Sequence, residues 1–383
     1  MIKTWELPDP FLREDGRRIS TREEWRPQRE YFKNLLSEKM YGTMPLRPAY
    51  LTSEKNGEDS FTGICEDGSE SRGWKESWVI YTGLEGKIRI PITVFRPETS
   101  ERVIPIIYSG GMGWFQEEKA AEALKEQFAV IVFEYEEGAP DSPEYGKGTC
   151  GQTYPEYTWR ALAMWAWMQS RVIDWLETQD FADVGRTVVT GHSRHGKSTV
   201  CCGVFDERVA VCAPAGSGCG GMASMRHWGS RLGQWIGECE TLGIMLNEKR
   251  FFYWLADEMR SYADPDSQKG YREDELPFDA NTLGALIAPR GLILTEGLDD
   301  TWINTFGTQV AWLGTTEVYE FLDAKEKCGL HYREGGHMYS MEDWLVMLDF
   351  CKVNLLGEKK KTNYKTVIEN EVKCGYSWRC PKA

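Results

Sequence analysis

Short, continuous runs of apolar residues recur along this chain, and each is bounded by turn-forming residues. The clearest are VIPIIYSG at 103–110 and FAVIVFEY at 128–135. Runs of this kind, without polar alternation, are typical of strands buried on both faces, as in parallel sheets. Helical patterns such as YTWRALAMWAWMQSRVIDWLETQ at 157–179 lie between them. The sequence therefore predicts an α/β fold: a doubly wound, mostly parallel sheet between two helical layers.

The 383 residues are enough for one large α/β domain, and composition suggests how they divide. Residues 1–75 are polar, with one helical stretch, and predict an N-terminal lead-in that packs on the domain. Residues 76–358 hold the strand and helix patterns of the main domain. Within them, residues 217–285 are irregular, aromatic and charged, which predicts an insertion over the top of the sheet. Residues 359–383 are interpreted as a C-terminal tail.

Charge and hydropathy exclude some classes of partner. The formal net charge is −14, which argues against nucleic acid and anionic membrane as partners. No apolar run approaches the roughly 18 residues of a membrane span. The 16 Trp and 17 Tyr fill the core, line a sugar-binding face, or do both.

The N-terminus and the cysteines predict a compartment. The first 18 residues are charged throughout and lack the apolar stretch of a signal peptide. The 11 cysteines are an odd number, and Cys201 and Cys202 are adjacent in an apolar run. We therefore expect reduced thiols and a cytoplasmic protein. The absence of any C-x-x-C pair argues against a structural zinc site, and no metal is expected.

The stretch VVTGHSRHGKSTV, residues 188–200, contains the candidate nucleophile. It reads as a strand, a tight turn and a helix, with Ser193 at the turn. This is the setting of a nucleophile elbow, although the usual G-x-S-x-G is here G-x-S-x-x-G. The alternative is an ordinary glycine-rich turn.

Chain order predicts the partners of Ser193, because in such sheets serine, acid and histidine follow one another on successive strands. Only five histidines exist, and His331 and His337 alone follow the expected acid strand GLILTEG. His331 lies within an apolar run, whereas His337 follows two glycines on a loop and is the predicted base. Asp299, Asp300 and Glu296 are all candidates for the acid, which would hold the histidine tautomer.

Several further motifs occur in a fixed order: GHSRHGK, FDERVAV, GSGCGGMASMR, LPFDANTLGALIAPRGLIL, DDTW and YREGGHMYSMEDW. Together they resemble the glucuronoyl esterases of carbohydrate esterase family fifteen and their bacterial relatives, over roughly residues 80–355. The resemblance implies an α/β-hydrolase fold with Ser193 as the nucleophile. Fungal members carry the acid just before SGxGG, where this chain has Gly216, so the bacterial arrangement is implied. The Asp-x-Trp spacing then favours Asp300 over Asp299.

The same resemblance implies residues that bind the substrate. Arg194 stabilises the oxyanion, with a salt bridge to an acidic neighbour as the alternative role. Lys197 matches a lysine that contacts sugar hydroxyls, and Trp302 matches a tryptophan beside the sugar. Glu240 and Glu248 match hydroxyl-binding positions only through a gapped alignment, and a solvated helix face is the alternative. A second oxyanion donor from YSGGMGW at 108–114 stays open against a simple tight turn.

The function implied is hydrolysis of esters of glucuronic acid, as in a 4-O-methyl-glucuronoyl methylesterase, without metal or organic cofactor. The substrate would be a small-molecule or oligosaccharide ester from plant cell-wall material. One alternative is an acetyl xylan esterase or other carbohydrate deacetylase on the same fold. Another is an inactive sugar-binding relative, and a peptidase is a third.

Overall fold

The computed structural model describes residues 6–228, 239–263, 272–368 and 375–382, and it contains a nine-stranded sheet. The strands are β1 Leu51–Ile64, β2 Glu70–Thr82, β3 Ile88–Pro97, β4 Ile104–Ser109, β5 Phe128–Phe133, β6 Val188–His192, β7 Val211–Ala215, β8 Gly291–Gly297 and β9 Cys328–Arg333. Their order across the sheet is β1-β2-β3-β5-β4-β6-β7-β8-β9. The six strands from β5 to β9 in that order are parallel, whereas β1, β2 and β3 are antiparallel. This confirms the predicted mostly parallel sheet.

Helices cover both faces of the sheet. They are α1 Arg22–Leu36, α2 Glu117–Lys125, α3 Thr149–Thr153, α4 Ala161–Leu176, α5 Arg194–Phe205, α6 Leu242–Leu246, α7 Ala280–Ile287, α8 Thr305–Phe321 and α9 Met341–Cys351. Helices α2 and α9 contribute to the core on one face, and α1, α4, α5, α7 and α8 contribute to the core on the other. Within these described helices, none is long and apolar enough to cross a lipid bilayer.

Strand β5 shows why continuous apolar runs form the centre of the sheet. All six of its residues are buried. Ala129, Ile131 and Phe133 face one core, and the intervening Phe128, Val130 and Val132 face the other. Because successive side chains of a strand point to opposite faces, a strand covered by helices on both sides must be apolar at every position.

The N-terminal lead-in is more regular than the sequence predicts. Strand β1 and the first part of β2 lie within residues 1–75, so the expected boundary after residue 75 falls inside β2. These strands form an antiparallel hairpin at the edge of the sheet, and most of β1 is exposed. Polar residues on a solvated edge hairpin produce no apolar run, and the strands were therefore missed.

The other predicted segments are only partly described. Of the insertion over the top of the sheet, residues 229–238 and 264–271 lie outside the described residues, as do residues 369–374 of the tail. The described part of the tail packs on the domain: the backbone of Leu330 in β9 donates to Tyr364, and that of Leu7 donates to Gly375. The tail and the lead-in are thus in contact with each other.

Candidate active site

Ser193 lies on a sharp turn between β6 and α5. It has φ +57° and ψ −123°, a backbone conformation that residues other than glycine rarely adopt. Its backbone N–H donates to Ala215 in the neighbouring strand β7 at 3.0 Å, which helps to hold the turn. Strained residues of this kind persist only where the surroundings fix them, and they concentrate at functional sites. The geometry is that of the predicted nucleophile elbow.

The two glycines of the motif allow this turn to pack. A Cβ atom at Gly191 would lie 2.7 Å from the carbonyl oxygen of His195, and one at Gly196 would lie 3.0 Å from that of Ala215. Backbone atoms cannot yield as a flexible side chain can. The close contact is made by the residue three positions after Ser193, which accounts for the late second glycine.

The side chains of Ser193, His337 and Asp300 lie on three different loops and form a hydrogen-bonded chain. The Oγ atom of Ser193 lies 2.9 Å from Nε2 of His337, and Nδ1 of His337 lies 2.5 Å from Oδ2 of Asp300. The other oxygen of Asp300 accepts the backbone N–H groups of Trp302 at 3.1 Å and Ile303 at 3.3 Å. Asp300 is buried whereas the His337 ring is partly open. The chain of bonds can pass the hydroxyl proton to a histidine whose tautomer is held by a carboxylate.

The two other candidate acids do not contact His337 in this structure. Asp299 is exposed, and its carboxylate accepts the backbone N–H of Gly335 at 3.1 Å, in the loop that bears the histidine. Glu296 is buried at the end of β8, and burial raises the pKa of its carboxyl well above the usual range. A buried carboxyl that favours its neutral form is a poor partner for a charged imidazolium.

Gly216 and His192 explain why no acid arises at the end of β7. A Cβ atom at Gly216 would lie 3.2 Å from Nε2 of His192. The His192 ring in turn lies 4.5 Å from the ring of His337, centroid to centroid. Burial, with a smaller contribution from His337, lowers the pKa of His192 to about 3. His192 is therefore a neutral packing group in the space beside Gly216.

Two further histidines, His195 and His331, have other partners. His195 shares a hydrogen bond with Ser109 at 3.2 Å and packs 4.4 Å from the ring of Tyr135. Burial lowers its pKa to about 3, so it is neutral. His331 lies 2.9 Å from a carboxylate oxygen of Glu342. Both histidines have structural surroundings, and the role of His337 as the base stays a prediction.

A cavity of about 410 Å³ opens beside Ser193 and His337. The remaining lining residues are Tyr108, Ser109, Gly110, Trp114, Gln116, Lys119, Tyr135, Asp141, His192, Arg194, His195, Met338 and Tyr339. Gly110 belongs to the glycine-rich loop that the sequence offers as a second oxyanion donor. Across the described residues, no three His, Cys, Asp or Glu side chains are placed to hold a metal ion.

Arg194 begins α5 and lies on the cavity wall next to Ser193. Its guanidinium forms a salt bridge with Asp141 and lies over the rings of Trp254 and Phe251, 5.1 and 5.6 Å from their centroids. The salt bridge that the sequence offered as an alternative role is thus present. It does not remove the arginine from the cavity, and oxyanion stabilisation stays a prediction.

Lys197 and Glu240 form a buried ion pair. Their side chains are 1% and 2% exposed, and Nζ of Lys197 lies 2.5 Å from Glu240 and 2.7 Å from the carbonyl oxygen of Ser217. Sequence reasoning named both residues but did not connect them. Neither lines the 410 Å³ cavity, so their contact with sugar hydroxyls stays a prediction.

Trp302 contacts the buried pair of Lys197 and Glu240 through its backbone, whereas Glu248 lies on the surface. The backbone oxygen of Trp302 accepts from Glu240 at 2.7 Å, which links the loop of Asp300 to the buried pair. The side chain of Glu248 is 80% exposed and pairs with Arg260 at 3.3 Å. This surface position fits the solvated role that the sequence left open for Glu248.

Sequence reasoning missed two charged residues of the cavity, Asp141 and Lys119. Lys119, in the first turn of α2, is 2% exposed, and burial lowers its pKa to about 8. Its ammonium donates to the backbone oxygen of Tyr339 at 2.5 Å and to Gln116 at 3.0 Å. Neither residue lies in a recognisable sequence motif. Their places in the cavity depend on contacts with residues that are far away in the sequence.

Comparison with known proteins identifies the family of the chain. A family profile described as "Glucuronyl esterase, fungi" matches residues 81–323, more than half of the chain. The chain belongs to the glucuronoyl esterase family. The resemblance predicted from the sequence motifs is therefore confirmed, and the sheet has the α/β-hydrolase arrangement.

Individual relatives cover almost the whole chain. A carbohydrate esterase designated MZ0003, from an unknown prokaryotic organism, is 26% identical and covers 93% of this chain and 91% of its own length. A 4-O-methyl-glucuronoyl methylesterase of Schizophyllum commune is 28% identical, over 94% and 84% respectively. The solved structure of a family 15 glucuronoyl esterase from Caldicellulosiruptor kristjansonii superposes with a TM-score of 0.82 at 28% identity, over 98% of this chain and 97% of its own.

Proposed function

We propose that this chain is a serine esterase that hydrolyses esters of glucuronic acid through Ser193, His337 and Asp300. The observation that carries the proposal is the continuous hydrogen-bonded path from the strained Ser193 through His337 to the buried Asp300. The names of the glucuronoyl esterase relatives supply the substrate class. The bond cleaved joins the C6 carboxyl of the sugar acid to an alcohol, in plant cell-wall-derived glucuronoxylan or lignin–carbohydrate material.

Acylation follows from the positions of the three side chains. His337 takes the proton of Ser193 at Nε2 while the serine Oγ attacks the ester carbonyl carbon. The tetrahedral intermediate then collapses, the carbon–oxygen bond to the alcohol breaks, and His337 returns the proton to the departing alcohol. Asp300, bonded to Nδ1, stabilises the imidazolium without taking its proton.

Deacylation repeats the sequence with water. His337 accepts a proton from the attacking water, the bond between the Ser193 Oγ and the acyl carbon breaks, His337 returns the proton to that Oγ, and glucuronate is released. The backbone N–H and side chain of Arg194 stabilise the negative oxygen in both steps. Donors fixed in advance at developing charge are worth about 3–4 kcal/mol each.

The substrate is tested by a direct comparison. The purified chain is assayed on methyl glucuronate and on an acetylated xylo-oligosaccharide, beside a Ser193→Ala variant. We expect kcat/KM to favour the glucuronate ester and Ser193→Ala to lower it about a thousandfold or more. Circular dichroism checks that the variant is folded, since loss of one small hydroxyl opens no cavity.

Two outcomes would change the proposal. A preference for the acetyl ester with the same Ser193 dependence would identify a carbohydrate deacetylase. A wild type that cleaves neither ester and does not react with a fluorophosphonate would be an inactive sugar-binding relative.

We also propose that the chain acts in a reducing compartment, namely the cytoplasm. The ten described cysteines are free thiols, and nine of them are buried. Fractionation of cells that express the chain from its native gene tests this proposal, and recovery from the medium would contradict it.

A further inference from the structure

The side chain of Arg194 needs an anchor if it is to serve as a fixed donor. Arg194 follows Ser193 directly and is 38% exposed on the cavity wall. A free arginine side chain samples many rotamers, and fixing it in one of them costs entropy. An unrestrained guanidinium would have to be ordered each time the oxyanion forms, whereas a preorganised one would not.

Asp141 supplies a rigid partner for this guanidinium. One carboxylate oxygen, Oδ2, pairs with Nη1 of Arg194. The other, Oδ1, accepts from the Tyr253 hydroxyl at 3.0 Å and from the Trp254 indole N–H at 2.9 Å. The Asp141 side chain is only 12% exposed. Because both oxygens are bonded, the carboxylate cannot rotate without losing at least one partner.

Aromatic rings hold the same guanidinium from a second direction. Phe251 and Trp254 are stacked with centroids 4.0 Å apart and an interplanar angle of 5°. The guanidinium carbon of Arg194 lies within 6 Å of both centroids, a distance at which cation–π attraction is effective. A carboxylate and a stacked pair of rings therefore define the position of one end of the side chain.

The remaining donors of Arg194 stay available. Within the described residues, neither Nε nor Nη2 of Arg194 has a hydrogen-bond partner, and the side chain borders the cavity next to Ser193. We propose that Asp141, with Tyr253 and Trp254, is a positioning residue that aims Arg194 at the oxyanion formed on Ser193. This inference rests on the proposed esterase function.

A double-mutant cycle on methyl glucuronate tests the proposal. Asp141→Asn keeps the size of the side chain and removes its charge. We expect it to lower kcat by about 10- to 100-fold with little change in KM, because a displaced donor affects the transition state more than binding. Arg194→Ala should lower kcat at least as much. The variant with both changes should match Arg194→Ala alone, since Asp141 acts only through the arginine.

A matched control and a milder variant accompany the cycle. Asp257→Asn breaks a comparable salt bridge, to Arg160, but its carboxylate is 59% exposed and lies outside the cavity. We expect it to leave kcat unchanged. Tyr253→Phe removes one bond to Asp141 and keeps the ring, so it should lower kcat by a few fold. If Asp141→Asn fails to fold, which thermal unfolding would reveal, Tyr253→Phe tests the positioning role in its place.

The outcomes separate the inference from the proposed function. Additive losses in the double variant, an unchanged kcat in Asp141→Asn or a higher one would each overturn the positioning role while the esterase stands. A higher kcat would mean that Asp141 holds the arginine away from the oxyanion. A wild type that cleaves no ester removes the proposed function, and the positioning role fails with it.

Discussion

Asp299 and Asp300 follow the same strand but have different surroundings. Asp300 is buried, with one oxygen on His337 and the other on two backbone N–H groups, whereas Asp299 is exposed and bonded to Gly335. A carboxylate stabilises an imidazolium effectively only when it is fixed beside it and shielded from water. The position in the loop, rather than the residue type, therefore distinguishes the two aspartates.

We expect Asp300→Asn to lower kcat by about three to four orders of magnitude, because the amide favours the wrong histidine tautomer. Asp299→Asn should have a much smaller effect, since it changes only a loop contact. Both variants are measured on one ester at one pH. The reversed ranking would move the acid to Asp299, and two mild effects would point to a carboxylate elsewhere.

Lys197 and Glu240 are buried together, and this changes how Lys197 can be tested. We expect Lys197→Ala to lower the free energy of unfolding by about 3–5 kcal/mol, because it leaves the charge of Glu240 buried and unpaired. Replacing the pair by Lys197→Met with Glu240→Leu should restore most of that loss. Urea unfolding of the three proteins measures the difference, and equal stability of all three would contradict the expectation.

The double variant, whose stability is restored, then shows whether Lys197 contacts the sugar in addition to stabilising the fold. If Lys197 contacts sugar hydroxyls, kcat/KM should fall for methyl glucuronate and change little for p-nitrophenyl acetate. Equal losses on both esters would mean that the pair supports the elbow itself.

Glu296 predicts a pH dependence of stability. Its carboxyl has a pKa raised well above 4.5 in the folded state, because burial disfavours the charged form. Above about pH 4.5 the unfolded chain loses this proton and the folded chain keeps it, so stability falls as pH rises toward the folded pKa. Glu296→Gln cannot ionise. Its free energy of unfolding relative to wild type should therefore be higher at about pH 8 than at about pH 5. Parallel pH dependences of the two proteins would contradict this.

At the scale of elements, the elbow joins β6 to α5 through close backbone contacts. A Cβ atom at Gly191 would meet the backbone of His195 at 2.7 Å. The strand, the turn and the first turn of the helix therefore form one packed unit, and Ser193 inherits its position from that packing. The position of the serine therefore depends on two glycines that have no side chain of their own.

We expect Gly191→Ala to lower the free energy of unfolding by about 1–3 kcal/mol, because overpacking must displace backbone. It should also reduce kcat, since Ser193 would shift relative to His337. Gly185→Ala is the matched control: its Cβ would lie 3.7 Å from the nearest atom, on an exposed turn. Thermal unfolding and ester hydrolysis of both variants test this, and equal effects at the two glycines would refute the packing argument.

At the scale of the whole molecule, the two ends of the chain pack together on the α/β domain. The indole N–H of Trp378 donates to the backbone oxygen of Leu7 at 2.8 Å, and its ring lies 6.1 Å from that of Phe11. Leu7 and Tyr376 form a small cluster with Val310 of α8. We propose that lead-in, domain and tail unfold as one cooperative unit.

Trp378→Ala should lower the free energy of unfolding by about 2–3 kcal/mol, somewhat less than for a fully buried tryptophan. The transition should remain single. Leu46→Ala, at a side chain that is 86% exposed, is the control and should change stability by about 0.5 kcal/mol or less. A separate early transition in the Trp378 variant would show that the ends unfold independently of the domain.

The sequence by itself determined the parallel strands and the elbow, because both depend on patterns within a few residues. It also predicted His337 as the base, since chain order and the small number of histidines left one residue on a suitable loop. It did not reveal β1 and β2. Their pairing stabilises a hairpin whose exposed face carries polar residues, and such a strand has no apolar signature.

Only the tertiary structure decided which charged side chains pair on and behind the elbow. Arg194 pairs with Asp141, 53 residues away, and Lys197 pairs with Glu240, 43 residues away. Such contacts depend on how loops cross above the sheet, which no periodicity within a strand or helix encodes. Burial in the folded chain then raises the pKa of Glu296 and lowers the pKa of His192, so both groups favour their neutral forms.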